Sequence, residues 1–183
     1  SNNEKTIVNA IYNRIALDVA SLKFRHVRLD ENERFKEEMS TGLNEVLKTE
    51  ANLDQSGRAF VHDMVLSMID EGVVAAVPVE TTDDPEVSSS YDILQMRVGP
   101  IVEWYPQHVK VRLYNSVTGR RQKFTFRKRD VAILENPFYA VMNAPNSTLQ
   151  RLIRKLRLLD VIDEQAGSGK LDLIIQFPYS VKT

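Results

Sequence analysis

Cysteine is absent from this chain of 183 residues, which excludes disulfides, thiolate nucleophiles and cysteine-ligated metal sites. No apolar run approaches the roughly 20 residues that a membrane-spanning helix needs. Charge of one sign is also missing. The formal net charge is −1, so no global field draws the molecule to nucleic acid or anionic lipid. Imidazoles are scarce: His26, His62 and His108 are the only three, and none has metal-ligand spacing with another. No Gly-x-Ser-x-Gly elbow or other nucleophile motif is present. The carboxylate pairs Asp83–Asp84 and Asp70–Glu71 have no matching base. The run AGSGK ending at Lys170 has the look of a phosphate-binding loop. The full pattern needs Gly where Glu164 stands and Ser or Thr where Leu171 stands. Its setting is also reversed, with a helix before the loop and a strand after it. Gly167 and Gly169 therefore read as turn punctuation. No residue set supports catalysis, and none calls for a cofactor or a metal.

The apolar fraction of 43% and charged fraction of 27% are ordinary for a folded domain, and the length allows one sizeable core or two small ones. Residues 5–22 carry Ile7, Val8, Ile11, Ile15, Val19 and Leu22 at helical spacing, which predicts a helix burying that stripe. Residues 23–29 alternate and suggest a short strand, and charged residues 30–36 suggest a turn or exposed loop. Within residues 43–53, Leu43, Val46 and Leu47 predict a short amphipathic turn or helix. Asp54 is placed to cap a helix over residues 55–71 that buries Phe60, Val61, Met64, Val65, Met68 and Ile69, with Gly72 as its C-terminal stop. The two methionines read as adaptable core filler. That helix is expected to pack on Ile11, Ile15 and Val19 of the first.

Residues 73–79 are β-like. Residues 81–90 (TTDDPEVSSS) predict an exposed, poorly ordered loop. Two strands are then expected, 91–97 and 101–105, separated by a turn at Gly99-Pro100. Residues 109–114 and 123–128 predict a hairpin with Gly119 in its connection. A short strand follows at 131–134. After the polar stretch Asn146–Thr148, suited to start a helix, Leu149, Leu152, Ile153, Leu156, Leu159 and Ile162 recur at three- and four-residue spacing. A β-rich run over 171–181 closes the order. The pattern is α+β: helices packed on a mainly antiparallel sheet, then a projecting helix and strand.

Two charged features stand out. On the hairpin, Val109, Val111, Leu113, Phe124 and Phe126 should share one face, and Lys110, Arg112, Arg121, Lys123 and Arg127 the other, with no aromatic residue among the cations. Such a face is either simply solvated or a contact for an acidic partner or nucleic-acid phosphate. On the long helix, Arg151, Arg154, Lys155 and Arg157 crowd the first half, and Asp160, Asp163 and Glu164 the second. This opposes the helix dipole, at a few tenths of a kcal/mol per charge. Either the helix tolerates that frustration, or its charges answer to groups outside it.

The wording of several long segments carries more. NPFYAVMNAPNSTLQRLIRKL followed by SGKLDLIIQFPYSVK resembles a segment of the portal proteins of long-tailed double-stranded DNA bacteriophages. NAIYNRIALDVASLKFRHVRLDEN (9–32), LDQSGRAFVHDMVLSMIDEGVVAAVP (53–78), RVGPIVEWYPQHVKVRLYN and DVAILENPF fall in that family's order. The resemblance covers nearly the whole chain, and family members continue well beyond its length, so an N-terminal fragment is expected.

The resemblance implies a structural virion component: one subunit of a dodecameric ring at a single capsid vertex, reached by assembly in the bacterial cytoplasm. Double-stranded DNA passes through the ring without sequence specificity. Partners implied are further copies of the chain, the large terminase subunit, the major capsid or scaffold protein and the head–tail connector, with no membrane and no cofactor. Residues 1–139 then resemble the peripheral wing, 140–166 a stem helix and 167–183 the start of the clip. The charged residues of the long helix become candidates for the subunit interface. The rival reading is a nucleic-acid-binding module using the basic hairpin 109–129. A third is an interaction domain unrelated to phage.

Overall fold

The computed structural model of the chain describes residues 2–142 and 148–167. The loop at 143–147, the Gly-Ser turn with Lys170 and the expected strand over 171–181 lie outside the described residues. The helices are α1 (Asn2–Ala20), α2 (Gly42–Lys48), α3 (Gly57–Glu71), α4 (Tyr139–Met142) and α5 (Thr148–Gly167). Two small antiparallel pairs, β1 (Val27–Leu29) with β2 (Phe35–Glu38) and β3 (Glu50–Asn52) with β4 (Gln55–Ser56), flank α2. The remaining strands are β5 (Val73–Thr81), β6 (Ile93–Trp104), β7 (His108–Asn115), β8 (Arg120–Arg127) and β9 (Ala132–Glu135). They form one five-stranded antiparallel sheet in the order β8-β7-β6-β5-β9. The α+β class expected from the sequence is the class observed. By compactness the chain divides into Ile11–Tyr139 and a second unit made from its two ends.

Within Ile11–Tyr139, β5 is the centre. Val74, Ala75, Ala76 and Val77 are all buried, so both faces of this strand are covered. Residues of α3 cover one side, where Phe60, Val61, Val65 and Ile69 are buried and Met64 and Met68 half-buried. On the other side Ala75 and Val77 join Val109, Val111 and Leu113 of β7 in one cluster, edged by Ile101, Phe124, Phe126 and Val131. β5 and β7 are not neighbours in the sheet, since β6 lies between them. Their side chains meet because the sheet curls.

Gly99 is where the curl is made. β6 pairs with β5 up to Pro100 and with β7 from Ile101 onward. A Cβ on Gly99 would lie 2.0 Å from the Arg112 carbonyl oxygen, so only glycine fits that approach. The expected turn at Gly99-Pro100 is therefore a bend inside one long strand, and the two strands foreseen there are one. Two local signals misled: both residue types mark turns, but here they mark a change of pairing partner.

Three further expectations are corrected. Helix α3 is capped by Ser56, whose hydroxyl accepts from the Ala59 amide at 3.2 Å, and not by Asp54. Gly72 does close the helix, at φ 84°, with its amide donating to the Met68 carbonyl. The charged stretch 30–36 holds the tight turn at Asp30–Arg34, but its last residues already belong to β2. On α1, Ile7, Ile11 and Ile15 are exposed, as is Leu22 just past its end, while Ala16 and Ala20 are buried and Val8, Tyr12 and Val19 half-buried. Small residues let that line approach its neighbours, and the bulky ridge turns outward. Ile11 and Ile15 therefore do not supply the packing surface foreseen for α3.

The loop after β5 is exposed as expected, with Val87 86% accessible. It is nonetheless tied down. The Pro85 carbonyl accepts from the Arg127 guanidinium at 2.7 Å, and Asp84 accepts from the amides of Glu86, Val87 and Ser88.

Candidate interaction surface

The hairpin register decides which charges share a face. His108 stands opposite Arg127, Lys110 opposite Thr125, Arg112 opposite Lys123 and Tyr114 opposite Arg121. In an antiparallel pair, residues directly opposed lie on the same side. Lys110, Arg112, Arg121, Lys123 and Arg127 thus form the outward face, because Val109, Val111 and Leu113 are drawn into the curled core. Arg112 and Lys123, two like charges, stand directly opposite each other.

The face divides into two ends. Toward the start of β7, the cations are satisfied. Lys110 donates to Glu103 at 3.1 Å, and Tyr105 donates to the same carboxylate. These hydrogen bonds hold Glu103 below the usual carboxylate range, and the bond to Glu103 raises Lys110 above its own. Arg127 pairs with Asp130 at 2.6 Å, which raises its pKa further, and Glu86 and Asp84 add to the effect. Toward the hairpin loop the cations are open. Arg112, Arg121 and Lys123 are exposed there, as is Arg120 on the other side opposite Asn115, and none forms an ion pair with a described carboxylate.

One expectation about this face fails. Aromatic residues do stand among its cations. Tyr114 lies on it opposite Arg121, 39% exposed, with the Arg97 guanidinium 5.0 Å from its ring centroid. Tyr105 sits at the far end, with Lys110 5.8 Å from its ring centroid, whereas Trp104, opposite Val109, lies on the other side with Lys128 at 5.5 Å. The alternation that put Lys110 and Arg112 outward extends to Tyr114 by the same rule.

Arg97 is the residue that sequence reasoning missed. It is 8% exposed, on a strand flanked by Met96 and Val98, and it pairs with Asp54 at 2.5 Å. Asp54, Asp63, Arg97, Tyr114 and Arg121 line a small cleft of about 230 Å³. Asp63 there is engaged by Gln55 and Ser67. The only sequence signal was a lone arginine in an apolar run. Buried Asn52 bonds the Met96 carbonyl nearby, and buried Asn44 holds His26 and Met39 together.

Helix α5 carries the second set of candidates. Arg151, Arg154, Lys155 and Arg157 are exposed. The side chains of Asp160, Asp163 and Glu164 lie outside the described residues. Of the apolar stripe only Leu156 is buried. Leu149, Leu152, Ile153 and Ile162 are half-buried and Leu159 is 53% exposed, with Leu158 and Val161 also open.

The histidines stand apart. His26 bonds the Thr41 hydroxyl at 2.8 Å, His62 bonds Asn13 at 2.7 Å, and His108 faces Arg127 across the hairpin. Among the described residues no three His, Asp or Glu side chains are grouped to hold a metal ion, and no helix is long and apolar enough to cross a membrane. The fold and its surfaces define an α+β protein whose distinctive features are a curled antiparallel sheet, a divided charged hairpin face and a partly covered amphipathic helix. Compared with known proteins, the chain matches no family model, and no curated protein matches it in sequence.

Proposed function

We propose that this chain is a subunit of the ring-shaped portal through which a tailed bacteriophage packages and ejects double-stranded DNA. The observation that carries the reading is α5. Its apolar stripe is left largely half-covered, with Leu158, Leu159 and Val161 open beside an exposed cationic first half. Apolar surface of this kind marks a contact to be made. In a ring, the contact is head-to-tail between successive copies. The long segments that resemble portal proteins, in the same order over nearly the whole chain, support the same conclusion. On this reading residues 1–139 belong to the wing, 140–166 to the stem and 167–183 to the start of the clip. The terminase motor, the capsid or scaffold protein and the head–tail connector are the docking partners, at the capsid vertex. ATP hydrolysis belongs to the motor.

Reversing Arg151 and Lys155 to Glu tests this. The expected outcome is loss of ring-shaped oligomers by electron microscopy with an unchanged melting temperature. Normal rings from that variant would remove α5 from the interface. A second reading, a nucleic-acid-binding module, is favoured by the open cations at the hairpin loop beside Tyr114. Electrophoretic mobility shifts at low and high salt check it, since phosphate contacts give a steep salt dependence.

A further inference from the structure

The outward hairpin face has an acidic end as well as a basic one. Between Glu103 and Asp130 the chain holds no carboxylate side chain, so the charges of β7, β8 and their loop are purely cationic. At the loop end, Arg112, Arg121 and Lys123 are exposed without an ion-pair partner among the described residues. Glu103 reaches Lys123 only as a through-space neighbour while bonded to Tyr105 and Lys110, and Asp63 is engaged by Gln55 and Ser67. At the opposite end, Arg127 takes hold of the loop after β5 through the Pro85 carbonyl. That brings exposed Asp84 and Glu86 near Asp130, where three carboxylates act on Arg127, with exposed Asp83 next along the loop. Arg121 and Arg127 are about 20 Å apart along β8, at a rise of about 3.3 Å per residue.

We infer that this charged face docks a second copy of the same chain, the open cations of one hairpin meeting Asp83, Asp84 and Glu86 of the next. The inference rests on the ring reading above and names a second contact for it, on the sheet rather than on α5. A surface with unlike ends is complementary to a second copy of itself, either across a two-fold axis or head-to-tail, and the ring reading above selects head-to-tail. Nucleic acid fits the same cations less well, because a strand following the hairpin would run into the fixed carboxylates. Arg127 has a structural part in this scheme: it holds the acidic loop in reach of a neighbour.

Charge reversal with rescue tests the contact. One variant carries Arg112→Glu, Arg121→Glu and Lys123→Glu. A second carries Asp83→Lys, Asp84→Lys and Glu86→Lys. All six substituted side chains are exposed, so both variants should melt like the parent. By sedimentation velocity at low salt, each alone should associate about tenfold or more weakly than the parent chain. Mixed together they should pair again, and a chain carrying all six changes should self-associate. High salt should weaken all these pairings. Failure of the mixture to pair overturns the contact. So does a first variant that associates normally but loses binding to a duplex DNA probe, which would assign the cations to phosphate. Rings formed by both single-end variants overturn this contact while leaving the ring reading standing. Pairing of the mixture without closed rings in the parent does the reverse.

Discussion

Two apolar stripes of similar spacing meet different ends in this molecule. In α3, Phe60, Val61, Val65 and Ile69 are buried, and Phe60 is 1% exposed. In α5, the residues from Leu149 to Ile162 repeat with the same period, but only Leu156 is buried and Leu159 is more than half open. Periodicity alone states that a helix has an apolar side. It does not state whether the chain itself covers that side. The unit Ile11–Tyr139 satisfies its own stripe by curling a sheet around β5, whereas α5 keeps surface in reserve. The hairpin shows the same division in charge, with paired cations at one end and open ones at the other.

The sharpest way to break this contrast is a pair of truncations. Phe60→Ala should destabilise the fold by about 3–5 kcal/mol, the range for large aromatic truncations in a core. Leu159→Ala should change stability by no more than about 0.5 kcal/mol, as exposed positions do. Urea denaturation of both variants reads the difference, and equal effects would abolish the distinction. Next in size is Asp54→Ala, which strips buried Arg97 of its carboxylate and leaves only the Tyr114 ring. About 1–3 kcal/mol should be lost, toward the lower figure because Asp54 is half-exposed. Restoration of the loss by Arg97→Met in the same chain would show that the uncompensated charge causes it.

Smaller effects sharpen the picture. Glu103 is held below its ordinary range by Tyr105 and Lys110. Its contribution is therefore complete above the ordinary carboxylate pKa and is lost as pH falls through the lowered folded value. Glu103→Gln should flatten a small part of the acid limb of a melting-temperature profile and leave the alkaline side nearly unchanged. Limited proteolysis should cut first within residues 82–90, where Val87 is 86% exposed, and only later in α3. Arg127→Ala, which frees the Pro85 carbonyl, should speed that first cut.

Much of the architecture was legible because it is local. The α3 and α5 stripes, Gly72 as a stop and the β7–β8 hairpin all follow from spacing and turn chemistry. Errors arose where distant partners decide. Asp54 has the chemistry of a cap, but Arg97, 43 residues later, takes its carboxylate. The amide of Gly42 at the start of α2 donates to Asp92, 50 positions away, while Thr41 makes no side-chain cap bond. Gly99-Pro100 reads as a turn in isolation and becomes a bend once β7 lies against it. On α1, a ridge of isoleucines outweighs two alanines on any hydropathy scale, yet the alanines allow the close approach. The basic face was foreseen residue by residue. Its division into paired and open ends was not, because Glu103, Asp130 and the loop at 82–90 become its neighbours only after folding.

The proposed ring requires that copies of this chain contact one another in a closed assembly. Native mass spectrometry of the protein at low salt addresses that requirement most directly. A single oligomer of fixed copy number, lost when Arg151 and Lys155 are reversed, is the predicted result. A monomer at every concentration, or an open ladder of sizes indifferent to those charges, would contradict it.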